Sequence, residues 1–278
     1  MGNCFRIESR NDGSSKDFER GEKVITIIGI ISGITLIVIG IKGSGTPADI
    51  FINPTGLAIV LGGTLAATLI SFPFHEVLRA FRSYLIIFRS GSHDYVQAIK
   101  NLVRNIEKYN NYGLSSFEEF HRPSKKLWIF NDGFQLMING YNKEEVKKVL
   151  EDQIRWKFKR ELKQNQLFAT MAKFAPAFGM IGTLIGLIKM LVTMSSGPQH
   201  VGHGLAIALT TTFYGLILAN MLFNPIAEKI REQSENNLLL ETMQLESLMM
   251  MFDNSSHIYA QDKLASYISA AQRKKLMK

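Results

Sequence analysis

The chain has 278 residues, 46% of them hydrophobic and 20% charged, with a formal net charge of +8 and one cysteine, Cys4. A single cysteine excludes an internal disulfide and a cysteine-based metal cluster. The mean hydropathy of +0.04 conceals the main feature, which is that apolar residues gather into long runs between charged segments, as in a membrane protein with an aqueous part.

Residues 1–23 form a mixed-charge leader, and Arg6 stands where a myristoylation signal opening Met1-Gly2 would carry Ser or Thr. Val24 to Ile41 is an uncharged run of 18 residues that ends in Ile39-Gly40-Ile41-Lys42 rather than at a small-residue cleavage site, so it is predicted as a retained span. Gly56 to Phe74 is the second predicted span, with Gly62, Gly63, Ala66 and Ala67 small enough to admit a close neighbouring helix.

Residues 75–173 are predicted to be helical throughout. His75 to Phe88 mixes basic and apolar positions at helical spacing and is expected along the membrane surface. Tyr95 to Tyr109, Lys125 to Ile138 and Lys143 to Leu167 carry apolar residues at three- and four-residue steps. Asn142 followed by Glu145 predicts a capping box.

Phe174 to Met194 and Val201 to Ala227 are the third and fourth predicted spans, joined by a turn containing Ser195-Ser196-Gly197-Pro198 and therefore a hairpin. Glu228 to Met251 reads as a helical extension with Leu238, Leu239, Leu245, Leu248 and Met249 available for packing on the earlier helices. The remaining C-terminal residues, ending in Arg273-Lys274-Lys275, are expected to be less ordered, at a membrane surface or in solvent.

Lys and Arg outside the spans number five in residues 1–23, one in 42–55, eighteen in 75–173, none in 195–200 and seven in 228–278. The positive-inside rule then places both termini and the 75–173 segment in the cytoplasm and accounts for the basic charge without nucleic acid. The expected fold is all-α: a polytopic membrane protein with four transmembrane helices and a large helical cytoplasmic domain. Its parts are a cytoplasmic leader (1–23), the first two spans (24–74), a cytoplasmic helical domain (75–173), the second two spans (174–227) and a C-terminal helix with a basic tail (228–278).

The chain has no phosphate-binding loop, nucleophile elbow or zinc-helix motif, so an enzyme is not expected. His200 and His203 flank a turn but lack a third metal partner. The four spans hold no Asp or Glu, and their one charge, Lys189, lies near the end of the third span, where it can snorkel. An ion carrier would therefore sit on a partner helix. Hydroxyls line the hairpin instead, at Thr183, Thr210, Thr211 and Thr212. Either they ligate a hard cation beside backbone carbonyls and water, or they bond to their own helices and across the helix interface. Pro176, read as the first turn of the third span, and Pro225, near the cytoplasmic end of the fourth, are either a pair of coupling hinges or simple helix terminators.

Residues 175–187 (APAFGMIGTLIGL) and 209–220 (LTTTFYGLILAN), followed by Asn224-Pro225-Ile226-Ala227, resemble the third and fourth spans of the MotA/PomA flagellar stator family. Asn53 to Thr68 resembles the family's second span and Asp132 to Gln153 its helical segment before the third. The resemblance implies a ring of five copies around a dimer of a single-span MotB/PomB-like B subunit that brings the ion-carrying aspartate. It further implies coupling roles for Pro176 and Pro225. Thr183 and Thr212, with Thr211 beside them, match hydroxyls near the ion path of the sodium-driven branch, which favours sodium over protons as the transported cation; no other cofactor is implied. Aligned on Gly113, Glu118 matches a glutamate facing a FliG-like rotor, while Asn110 stands where that family carries an arginine. Arg104, Lys108, Lys125 or Lys126 could substitute, or the stator drives a surface-motility or envelope machine instead. An ExbB/TolQ-like energiser is disfavoured by four spans with both termini inside, and a self-sufficient channel by the lack of an acidic site within the chain.

Overall fold

The computed structural model describes residues 28–29, 31–43, 45, 48–87, 94–120, 127–194 and 198–276, with side chains except at 48–49, 83–87, 114–120 and 198–200. The leader 1–23 and the start of the first predicted span lie outside these residues. So do Phe88, Lys125 and Lys126, and the side chain of Glu118.

Regular structure among the described residues is entirely helical: α1 (Ile31–Gly43), a 3-10 turn at Ala48–Phe51, α2 (Pro54–Ser71), α3 (Phe74–Ile87), α4 (Tyr95–Phe120), α5 (Trp128–Ile138), α6 (Lys143–Thr193), α7 (Pro198–Ile217), a π turn at Leu218–Phe223, α8 (Asn224–Phe252), α9 (His257–Ala265) and α10 (Ala270–Leu276). Three helices are long and apolar enough to cross a membrane, namely Pro54–Ser71, Lys143–Thr193 and the continuous run Val201–Phe252, and Ile31–Gly43 is a shorter apolar helix. The chain divides into two compact units, residues 1–91 with 162–231 and residues 92–161 with 232–278, so α6 and α8 each contribute to both.

In the first unit, α2 begins as its sequence dictates. Asn53 is extended and its Oδ1 accepts from Gly56 N at 2.9 Å, while Pro54 occupies the first turn, where a missing N–H costs nothing. The helix ends at Ser71, before the expected Phe74, because Phe72 precedes Pro73 and is held in the extended region (φ −132°, ψ 145°). α3 then starts at Phe74. It buries Val77 and Ala80, stacks Phe81 edge-on against Phe168 at 5.5 Å and sets Glu76 3.7 Å from Lys163. Its Phe74, Leu78 and Phe81 form an exposed apolar stripe at helical spacing. The core of this unit is Val60, Leu167, Phe168, Met171, Ala175, Phe223, Ile226 and Ile230 with their smaller neighbours.

Two boundaries of the hairpin differ from expectation. Phe174 does not start a helix, since α6 runs unbroken from Lys143, and Pro176 is therefore interior rather than in a first turn. Hydropathy changes at residue 174, but helix bonds are local and the helix continues through the change, missing only the N–H that Pro176 lacks. The fourth span is interrupted by the π turn at Leu218–Phe223, in which Asn224 N donates to Ala219 O five residues back. Pro225 follows directly and has no N–H for the Met221 carbonyl, so the ladder cannot close in α register there.

In the second unit, Asn142 and Glu145 form the predicted capping box, each side chain accepting from the other's backbone N–H at 3.0 Å. Ile99, Leu102 and Ile106 of α4 pack with Phe130 and Phe134 of α5, Val146, Leu150 and Ile154 of α6, and Met243, Leu248 and Met251 of α8. The C-terminal residues are ordered, against expectation. Ser256 caps α9, Ala260, Leu264, Ile268 and Leu276 join the core, and Arg273 Nε donates to Ala265 O at 2.7 Å and Ile268 O at 3.3 Å. The small, widely spaced apolar residues of this stretch give a weak periodic signal, and the exposed arginine also caps a helix end.

Candidate functional site

The hairpin of α6 and α7 brings two of the three candidate threonines together. Thr183 and Thr212 share a hydrogen bond between their hydroxyls, and Thr183 Oγ1 also lies 3.1 Å from both Gly179 O and Ala208 O. Both side chains are partly exposed. Two hydroxyls and two backbone carbonyls thus converge from adjacent helices, with Thr183 bonded to its own helix and both threonines bonded across the hairpin, the second of the two arrangements the sequence left open.

Thr211 is placed differently. It is fully buried, its hydroxyl donates to Ala208 O at 2.8 Å, and its methyl packs where the Cβ of Gly56 and of Gly182 would otherwise lie, 2.8 Å and 2.6 Å away. Glycine at 56 and 182 is what lets α2 and α6 approach α7 this closely. Thr210 faces a third direction. Its hydroxyl donates to Ala206 O at 2.8 Å and lies 3.3 Å from Asn53 Nδ2. Three consecutive threonines, each turned by about 100° from the last, therefore meet three different neighbours.

Residues that sequence reasoning did not single out complete this region. Asn53 N donates to the Tyr214 hydroxyl at 2.8 Å, and that hydroxyl donates to Phe51 O. Phe51 and Phe213 meet edge-on at 5.8 Å. The available signal was a tyrosine inside an apolar run, where its hydroxyl must find a partner. Thr64 and Thr68 of α2 are buried and spend their hydroxyls on Val60 O and Thr64 O, one turn back.

The second unit holds an ionic cluster around the buried Glu241, with Lys157 and Glu161 partly exposed. Glu241 accepts from Lys157 Nζ and from Trp128 Nε1 at 3.0 Å, while Lys157 Nζ lies 3.7 Å from Glu161 and 5.0 Å from the Trp128 ring centre. Burial, with the nearby Glu241 charge adding to it, raises the Glu161 carboxyl above its ordinary range, against the opposing pull of Lys157, Ser234 and Asn237.

The MotA/TolQ/ExbB proton channel family, through its family model, matches residues 122–243. A Bacillus subtilis relative, "Uncharacterized protein YtxD", is 35% identical over 81% of this chain and 83% of its own length. "Motility protein A" of Aquifex aeolicus is 31% identical over 80% of this chain and 87% of its own length. The chain belongs to the MotA family. Its fold agrees, since it superimposes on a chain of the flagellar MotAB stator complex from Bacillus subtilis with a TM-score of 0.81, at 21% identity over 91% of this chain and 100% of that one.

Within this MotA-family chain, Arg104 and Lys108 are exposed on α4, one turn apart with Lys100 one turn earlier, opposite the buried Ile99, Leu102 and Ile106. Gly113 breaks the helical path (φ 73°, ψ 179°), a conformation open to glycine, so Glu118 follows on a redirected segment. Asn110, at the position of the expected arginine, donates to Ser255 O at 2.8 Å and ties α4 to the turn before α9. Pro176 and Pro225 lie within continuous helical backbone, the first in α6 and the second in α8, two residues beyond the π turn.

Proposed function

We propose that the chain is the A-type, ring-forming subunit of an ion-driven stator in a bacterial inner membrane, coupling cation flow to flagellar rotation. Membership of the MotA family and the likeness to motility protein A support this reading. The observation that carries it is the partly exposed Thr183–Thr212 pair on a hairpin whose spans contain no carboxylate. Hydroxyls and carbonyls can ligate a cation but cannot replace a titratable carrier, so a second chain supplies the acid.

That second chain, in this reading, is a single-span MotB/PomB-like subunit, present as a dimer inside a ring of five A-type copies. The biased Lys and Arg count supports four spans with both termini and the 75–173 segment in the cytoplasm. Neutral oxygen ligands favour sodium over protons. Pro176 and Pro225 act as hinges, the π turn beside Pro225 giving the backbone a place to yield. Arg104, Lys108 and Glu118 face a FliG-like rotor.

Asn110 favours a second reading, a stator for a surface-motility or envelope machine, because its amide is engaged within the chain where the family resemblance expects a rotor-facing arginine. Expressing the chain with its single-span partner in motile cells lacking their own stators separates the two. Restored swimming that requires sodium is expected. Sodium-independent swimming would transfer the reading to protons, and an assembled complex that restores no swimming would favour the second client.

A further inference from the structure

The segment before α2 is fastened to the fourth span by an unusually complete polar joint. Asn53 uses its backbone N–H on the Tyr214 hydroxyl, its Oδ1 on Gly56 N–H and its Nδ2 on the Thr210 hydroxyl. Tyr214 passes its own hydrogen to Phe51 O, and the Phe51 ring rests on Phe213. Thr210 is buried and Asn53 and Tyr214 are half-buried, so opening the joint would leave polar groups short of partners.

Thr210 and Tyr214 are four residues apart, on one face of α7, and the turn between them carries Thr211 and Thr212 on other faces. Two fixed points one turn apart fix the rotation of that turn about its axis. A rotation of about 10° would move an atom roughly 4 Å off the axis by about 0.7 Å, more than a ligand site tolerates.

We infer that Asn53 and Tyr214 are positioning residues for the ion path: with Thr210 they clamp the segment before α2 to the fourth span and so set how Thr212 is presented to Thr183. This rests on the reading of that threonine pair as an ion site. Thr211 reinforces the clamp, since its methyl fills the space over Gly56 in the first turn of α2. The segment joining the first two spans thereby becomes a determinant of ion affinity without touching the ion.

Two measurements on the full chain with its B-type partner test the clamp. In sodium titrations of swimming speed, Tyr214→Phe should raise the half-maximal sodium concentration about threefold to tenfold, the scale set by losing one or two hydrogen bonds. Maximal speed and membrane abundance should be kept for Tyr214→Phe, and adding Tyr214→Phe to Asn53→Ala, which also loses the cap of α2, should shift half-saturation by less than it does alone. Independently of ion and client, Thr183→Cys with Thr212→Cys in a Cys4→Ser background should form a disulfide under mild oxidation, with a lower yield once Tyr214→Phe is added. Unchanged half-saturation together with unchanged crosslinking would overturn the inference. Cells that never swim on sodium would instead strike at the ion-path reading, leaving the crosslink yield to decide the clamp.

Discussion

Thr183 and Thr212 hydrogen-bond to each other across the α6–α7 hairpin, while Thr211, one residue away, is sealed between Gly56 and Gly182. The two positions should therefore respond oppositely to valine. Thr211→Val keeps the packing volume and loses one hydroxyl bond to Ala208 O, about 1 kcal/mol, so abundance and swimming should stay near wild type. Thr212→Val removes a hydroxyl from the oxygen cluster and should abolish or severely slow swimming at unchanged abundance. Immunoblots of membranes alongside swimming speeds make the comparison.

Pro225 should trade stability for movement. Pro225→Ala restores an N–H that can pair with Met221 O and lets the π turn at Leu218–Phe223 anneal to α register. The expected outcome is a thermal midpoint in detergent above wild type, by about 1–3 kcal/mol in unfolding free energy, with reduced rotation of tethered cells. A stabilised variant that rotates normally would remove the hinge from the account.

Lys157 lies between two carboxylates, with Glu241 only 5% exposed. Lys157→Met should destabilise the protein by about 2–4 kcal/mol, because it strands the Glu241 charge. Lys157→Met with Glu241→Gln should recover part of the loss, since the buried Glu241 position is then neutral while the more exposed Glu161 stays without its lysine. Denaturation midpoints of the two variants and wild type provide the check.

Glu161 supplies a pH dependence of known sign. Its folded carboxyl is raised above the ordinary 4.5, chiefly by burial, so the folded state binds the proton more tightly than the unfolded state. Its favourable contribution is present below the unfolded value and is lost as pH rises through the raised folded value. Glu161→Gln should therefore stabilise the protein relative to wild type at pH 7.5, with the gain shrinking as pH falls towards 4.5. A difference in thermal midpoint that is flat across this range would contradict the burial argument.

The membrane character, the hairpin, the capping box and the threonine cluster were legible because each rests on local spacing, hydropathy or a short motif. The unbroken course of α6 through residue 174 was not, since hydropathy marks the solvent boundary and not the helix boundary. Nor was the π turn before Pro225, whose hydrogen-bond register has no composition of its own. The Asn53–Tyr214 joint and the Lys157–Glu241 pair link residues more than 80 positions apart, and no periodicity reports such contacts. Within the triplet 210–212, sequence order could not say which threonine meets Thr183 and which is packed between helices. The close approach of Gly56 and Gly182 to Thr211 decides that.

The most direct measurement is the sodium dependence of motor rotation for Thr183→Val and Thr183→Ser, in cells whose only stator is this chain with its single-span partner. The account predicts that Thr183→Ser, which keeps the hydroxyl facing Thr212, rotates with near-normal sodium dependence, whereas Thr183→Val assembles in the membrane but fails to rotate at any sodium concentration. Rotation of Thr183→Val with an unaltered sodium response would contradict the account, because the hydroxyl pair would then have no part in the ion path.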